Sequence, residues 1–264
     1  MKLSGLTLAL LAISCGTIIG FAASIPDAAQ TKNEDIKYRI ERKKMVESAI
    51  VGYGINDTKI IKAFLNVPRH EFVLPEAKDN AYEDKAMPIG NGQTMGRPYE
   101  VARMTQLLGL TGTEKVLELG TGSGYHTAIL SRLCDEVYTV DIQADMLKTA
   151  QERLGRLGYK NIHFRLGEGT LGWPEEAPFD AIIVGFAADS IINELVKQLK
   201  EDGKLVIPVA TTDGTQKLKL VTKKNGAVQV KDVIKVNFVR MIKTDKDKPA
   251  VPPVSANDAN RADQ

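Results

Sequence analysis

The chain has 264 residues, 43% hydrophobic and 26% charged, the make-up of a globular protein that buries one sizeable core. Its 35 basic and 33 acidic residues are intermixed and leave a formal net charge of +2, so no basic stripe faces a phosphate backbone and nucleic acid is not an expected partner. Two cysteines in unlike contexts, Cys15 and Cys134, and three scattered histidines, His70, His126 and His163, give neither a disulfide framework nor metal-ligand spacing, and no metal site is expected.

In chain order, residues 1–23 place Lys2 before an apolar run from Leu6 to Ala23, with small residues Ala22 and Ala23 near its end. This fits a cleaved export signal, an uncleaved anchor, or, through Ala12-Ile13-Ser14-Cys15, a loose lipid-attachment box. The cations that follow, Lys32, Lys37, Arg39, Arg42, Lys43 and Lys44, favour cytoplasmic retention, so the orientation stays open. Residues 24–33 read as a linker, Glu34 to Val51 as an amphipathic helix, and Asp57 to Leu65 as a second helix. From Lys115 strands and helices alternate: strand Val116 to Leu119, helix Gly124 to Leu133, strand Val137 to Asp141, helix Ala144 to Leu157 and strand Ile162 to Leu166. Strand Ala181 to Val184, helix Ser190 to Leu199 and strand Lys204 to Ile207 continue the series. Short Val- and Ile-rich runs separated by helical periods predict an α/β domain with a doubly wound, mostly parallel sheet over residues 34–243. Lys217 to Thr222 and Gln229 to Phe238, joined across Asn225-Gly226, predict a C-terminal antiparallel hairpin, and residues 244–264 read as a polar, unstructured tail.

The chemistry concentrates where the first strand of that series turns into its helix, at Glu118-Leu119-Gly120-Thr121-Gly122-Ser123-Gly124. Glycines at this switch let backbone approach a ligand closely. A dinucleotide site would space its glycines as Gly-x-Gly-x-x-Gly around a pyrophosphate; here the spacing is tighter and Glu118 precedes it, which favours a cationic sulfonium cofactor with a free amino group. Asp141, followed by Ile142, ends the next strand about twenty residues after the turn, where an acid accepts hydrogen bonds from ribose hydroxyls. Glu168 and Gly169 follow the third strand, where an acid faces an adenine amino group. His126 and Cys134 read as structural residues rather than as base and nucleophile, and Trp173 as packing beside the adenine loop.

Beyond these general features, Val67-Pro68-Arg69-His70-Glu71-Phe72-Val73, Ala81-Tyr82-Glu83-Asp84, Pro88-Ile89-Gly90-Asn91-Gly92-Gln93-Thr94 with Pro98-Tyr99, Gly172-Trp173-Pro174 and Ala177 to Val184 form a more specific signature. From about Val67 to Val239 the chain resembles the protein-L-isoaspartate (D-aspartate) O-methyltransferase family. The resemblance implies a class I methyltransferase fold with S-adenosyl-L-methionine held at Glu118, Gly120, Thr121, Gly122, Ser123, Gly124, Asp141, Ile142, Glu168 and Gly169. It implies carboxyl methylation of L-isoaspartyl, and D-aspartyl, residues in damaged proteins or peptides, a repair reaction of a monomeric and usually cytoplasmic enzyme. The family's Gln-Thr-Ile-Ser-x-Pro becomes Gln93-Thr94-Met95-Gly96-Arg97-Pro98 here, so the active-site serine falls at Gly96; Thr94 and Arg97 remain as candidates, Arg97 for a charge-assisted bond to a substrate carboxylate. Phe186 replaces a usually small residue. Two alternatives follow from these departures: methylation of a different peptide carboxylate, and an exported non-catalytic binding protein on the same scaffold.

Overall fold

The computed structural model describes residues 28–241; residues 1–27 and 242–264, and with them the apolar leader and the polar tail, lie outside the described residues. Helix α1 (Ala28–Met45) begins within the stretch read as a linker, because its Ala, Gln, Lys and Glu residues are all good helix formers. It passes into a π-helical turn, Val46–Ile50, and a 3₁₀ turn, Val51–Tyr53, which Gly54 ends in the left-handed region at φ 83°. Helix α2 (Thr58–Asn66) is capped by Asp57, whose carboxylate accepts from the backbone N–H of Lys59 and Ile60 at 2.8 and 3.4 Å. It buries Ile60, Ala63 and Phe64.

A small hairpin not anticipated from the pattern follows, β1 (Met87–Gly90) against β2 (Gln93–Met95), and then helix α3 (Pro98–Leu108) with proline in its first turn. The alternating region is β3 (Lys115–Leu119), α4 (Tyr125–Ser131), β4 (Glu136–Asp141), α5 (Ala144–Arg156), β5 (Ile162–Leu166), β6 (Phe179–Val184), α6 (Asn193–Lys197) and β7 (Leu199–Ala210). It closes on β8 (Gln216–Lys224) and β9 (Ala227–Val236). The helix expected over Ser190 to Leu199 shrinks to α6, since Leu199 is drawn into strand pairing opposite Phe179 and the Gln198 carbonyl accepts from Phe179 N at 2.8 Å. The hairpin Asn225-Gly226 takes φ 52° and 71°, and Asn91-Gly92 takes 50° and 70°, both positive as a two-residue type I′ turn requires.

The seven-stranded sheet runs in the order β5-β4-β3-β6-β7-β8-β9, with β3 to β7 parallel and β8 and β9 antiparallel. The doubly wound parallel sheet with an antiparallel C-terminal edge is therefore present. One sheet face packs Leu117, Leu119, Ile182, Val184 and Leu205 with α6. The other face packs Val116, Val137, Ile183 and Val206 against Met104 and Leu108 of α3 and Leu130 of α4. Successive β3 to β5 strands extend one way from β3 and β6 begins the other way, so the order reverses between β3 and β6. Ligands of open α/β sheets bind outside the carboxyl ends of the strands at such a reversal.

Candidate active site

An open cleft lies at that reversal, enclosing about 760 Å³ when the solvent-filled mouth is counted. Its floor is made by four strand ends: Gly120 after β3, Asp141 at the end of β4, Glu168 and Gly169 after β5, and Gly185 and Phe186 after β6. The sheet ladder continues one step into these ends, through Gly120 N to Val140 O (2.8 Å), Gly167 N to Asp141 O (2.9 Å) and Gly185 N to Leu119 O (2.8 Å). Each of these three pairs of ends is thus joined by a main-chain hydrogen bond.

At Gly120 (φ 91°) a Cβ would stand 3.4 Å from the Phe186 ring, and at Gly169 one would stand 3.0 Å from the same ring; Phe186 thus takes the space that glycine leaves. Gly122 adopts φ 54° and would press a Cβ to 3.3 Å from Ile89 of the β1–β2 hairpin. Gly124 does not line the cleft: at φ 86° its missing Cβ admits Leu154 of α5, which a Cβ would meet at 2.9 Å. Its glycine serves helix packing behind the turn.

The acids are held differently. Asp141, 7% exposed, accepts from Gly122 N and Gln143 N, both at 2.9 Å, and lines the cleft with Ile142 beside it. Glu168 also lines it. Glu118, only 2% exposed, lies below the turn and faces an adjoining recess of about 490 Å³ lined also by Thr94, Gly96, Thr121, Ser123 and His126. Its Oε2 accepts from the hydroxyls of Thr127 and Thr139 at 2.5 and 2.8 Å, and Thr139 Oγ1 lies 2.7 Å from Thr121 Oγ1. Burial pushes the Glu118 carboxyl up to about 7 even though the threonine hydrogen bonds pull it down. The Ser123 carbonyl accepts from Arg153 Nη1 at 2.8 Å. The main cleft and recess share Ile89, Thr94, Gly120, Gly122 and Gly185 as lining and so adjoin.

The opposite wall comes from the β1–β2 hairpin and the segment before it. Ile89, Gln93 and Thr94 line the main cleft and Gly96 the recess. A Cβ at Gly96 would approach Val101 Cγ2 at 3.2 Å. The wall is pinned by Arg69, which is fully buried: its Nε donates to Ala81 O at 2.8 Å and its Nη2 to Gly96 O and Lys85 O at 2.9 and 3.4 Å. Its guanidinium lies 4.7 Å from the ring of Tyr125, the first residue of α4. Arg97 is turned away from the cleft to Asp84, with Nη2 2.5 Å from Oδ2, while Asp84 also accepts from Tyr99 N at 3.1 Å. The structure thus commits Arg97 to fixing the start of α3, and it lines neither cavity.

His126 sits in the recess with Nε2 3.0 Å from Thr105 Oγ1, and burial pushes its imidazole down to about 3, so it is neutral at working pH and cannot carry a resident charge. The buried Cys134 thiol is pushed up to about 12 by desolvation and donates to Leu130 O, which leaves it no nucleophilic character. Trp173 packs edge-on to Tyr138, 5.4 Å between ring centres, and is absent from the cleft lining. Gln143, Met146, Thr170, Arg240 and Met241 line the cleft without any preceding motif having marked them. The Asn91-Gly92 turn was the available sign for the hairpin wall; Arg240 carried none.

Three acids around a glycine-rich turn fit a nucleoside whose other end is cationic, and suit a pyrophosphate poorly. Comparison with known proteins agrees. The family model described as protein-L-isoaspartate(D-aspartate) O-methyltransferase matches residues 40–246. A protein-L-isoaspartate O-methyltransferase of Opitutus terrae is 44% identical over 222 residues, covering 84% of this chain and 92% of that protein. One from Dictyoglomus turgidum is 48% identical over 203 residues, covering 77% and 91%. Among solved structures, a Plasmodium falciparum protein-L-isoaspartate O-methyltransferase in complex with S-adenosyl-L-homocysteine superposes with a TM-score of 0.68 at 26% identity, covering 77% of this chain and 99% of that one. With the family model matching residues 40–246 and relatives covered over more than nine-tenths of their length, this chain belongs to the protein-L-isoaspartate(D-aspartate) O-methyltransferase family.

Proposed function

We propose that the chain is an S-adenosylmethionine-dependent carboxyl O-methyltransferase acting on L-isoaspartyl residues of damaged proteins or peptides, a repair reaction. The observation that carries it is the cleft at the sheet reversal with its adjoining recess, with acids on one wall and the hairpin of the family signature on the other. Asp141 and Glu168 would hold the nucleoside, Gly120, Gly122 and Gly169 would admit it, and Glu118 would face its ammonium group. The bound cofactor supplies an electrophilic methyl group on a sulfonium.

The chain's own residues then have little covalent chemistry to perform. A carboxylate nucleophile is already ionised near neutral pH, so no general base is needed, consistent with a neutral His126 and a glycine at position 96. Rate comes from alignment and from keeping water out. Ile89, Met146 and Phe186 supply an apolar lining, and the Arg69 pin fixes the Gly96 end of the wall. Because Gly96 lacks the family's hydroxyl, a different peptide carboxylate is the second reading.

Transfer of labelled methyl groups to an isoaspartyl peptide and to its aspartyl twin tests both readings. Label on the isoaspartyl peptide alone is the expected result; label on the aspartyl peptide moves the substrate assignment; label on neither, without S-adenosylhomocysteine binding, leaves a non-catalytic scaffold. The apolar leader over residues 1–23 supports export or membrane attachment, since its composition is that of a signal or anchor. Among the described residues no helix is long and apolar enough to cross a membrane. Fractionation of cells carrying the chain with and without residues 1–23 checks this: activity that stays soluble and cytoplasmic in both removes the export reading.

A further inference from the structure

With Arg97 committed to Asp84, the carboxylate of a substrate needs another partner. Among the described residues that line the cleft the one cation is Arg240, which stands there with Thr94, Gly185 and Phe186. Its main chain is fixed on both sides: Ala187 N donates to Val239 O at 2.9 Å and Met241 N donates to Ala187 O at 3.0 Å, stitching the segment after β9 alongside the segment after β6. Its side chain is not fixed in this way. It is 64% exposed, and its Nη1 reaches Asp189 Oδ1 only at 3.4 Å, with Asp189 itself 58% exposed. An ion pair so long and so wet holds weakly.

The charge balance gives this arginine a task. Among the described residues, the other charged ones lining the cleft are Asp141 and Glu168, both acids that the cofactor would engage, which leaves Arg240 as the side chain there with a charge complementary to a carboxylate. The neutral hydroxyl that the family resemblance places at position 96 is missing. A planar guanidinium presents several N–H donors in one plane and matches a carboxylate in shape and charge.

We propose that Arg240, with Thr94 on the facing hairpin, forms the subsite that binds the free carboxylate of the isoaspartyl peptide and so determines specificity in this chain. One carboxylate oxygen accepts from the guanidinium while the other keeps its lone pairs for the methyl carbon. Asp189 holds the arginine when no substrate is present and releases it at small cost. This assignment rests on the methyltransferase reading above.

The experiment compares the wild-type protein with Arg240→Gln, Arg240→Lys and Asp189→Asn, reading KM and kcat for an isoaspartyl peptide and Kd for S-adenosylhomocysteine. Because Arg240 is exposed, the variants are expected to keep the thermal midpoint of the wild type. Arg240→Gln should raise the peptide KM at least 20-fold with the Kd for S-adenosylhomocysteine changed less than 2-fold. Arg240→Lys should recover part of the loss, and Asp189→Asn should leave KM unchanged or lower it. The wild-type KM should rise with added salt and that of Arg240→Gln should not. An active wild type whose Arg240→Gln variant keeps its peptide KM within 2-fold overturns the proposal, as does a variant that loses cofactor affinity in step with peptide affinity. A wild type that methylates neither peptide fails earlier and overturns the functional reading itself.

Discussion

The two walls of the cleft are built on opposite principles. The cofactor wall is a row of strand ends, each continued by one more main-chain hydrogen bond, so its geometry follows from the ladder and tolerates changes in side chains that do not face the ligand. The facing wall, from Arg69 to Arg97, holds 3₁₀ turns and a hairpin of short strands, and its carbonyls are satisfied by side chains: Arg69 for Ala81, Lys85 and Gly96. Asp84 holds Tyr99 N and Arg97 in the same way. A wall made by the ladder fails only when the sheet fails, whereas a wall made by one buried cation fails with that residue.

The sharpest way to break this distinction is Arg69→Met. It leaves three carbonyls without their donor, at a cost of about 4 kcal/mol of stability, and should abolish peptide turnover at 37 °C. S-adenosylhomocysteine binding measured by calorimetry at low temperature should stay within a few-fold of the wild type; a parallel loss would show that the walls are one unit. Asp141→Ala is the converse. Removing the acceptor shared by Gly122 and Gln143 should weaken S-adenosylhomocysteine about 100-fold, roughly 3 kcal/mol, with the peptide wall intact by hydrogen exchange over residues 69–97.

Glu118 sharpens the comparison through pH. Its folded-state carboxyl sits at about 7, above the ordinary value of 4.5, so the folded state holds an extra proton between them. The stability linked to that proton is fully present below the unfolded value and is lost as pH rises through 7, roughly 2.5 kcal/mol between pH 5 and 8. Glu118→Gln should flatten this part of the stability curve, read by urea unfolding at several pH values. In the wild type, S-adenosylhomocysteine should bind more tightly as pH rises through 7, because the ionised carboxylate is the form that favours an ammonium; an affinity independent of pH there would remove Glu118 from the site. The smallest effect belongs to His126→Gln. With its imidazole near 3 the histidine does not titrate between pH 5 and 9, so kcat/KM should change less than threefold and the pH profile not at all.

The same contrast explains what could be read before the fold was known. The strand ends Asp141 and Glu168 and the turn Gly120 to Gly122 were legible because periodic apolar runs fix strand ends, and strand ends fix the site. Gly124 was legible as a special position but not as a packing one, since only the approach of Leu154 separates the two roles. Arg97 and Arg240 show the limit. Position 97 was marked by motif and position 240 by nothing, yet the partner of Arg97 is 13 residues away in an irregular loop, and that of Arg240 depends on where the end of β9 meets the segment after β6. Pairings of that kind are set by tertiary geometry, which leaves no local period.

Asn91-Gly92 and Asn225-Gly226, which suit the positive dihedrals of their turns, also place an asparagine directly before a glycine. A glycine after asparagine presents its backbone nitrogen with no side chain to shield it, so attack of that nitrogen on the neighbouring side-chain amide is least hindered there. When the resulting cyclic imide reopens toward the β-linkage, one extra carbon enters the main chain, and a two-residue turn has no slack to absorb it. In the C-terminal hairpin this would disturb the edge of the sheet; in the first hairpin it would displace Gln93 and Thr94. The wall that receives a damaged residue is itself built on the dipeptide most prone to become one.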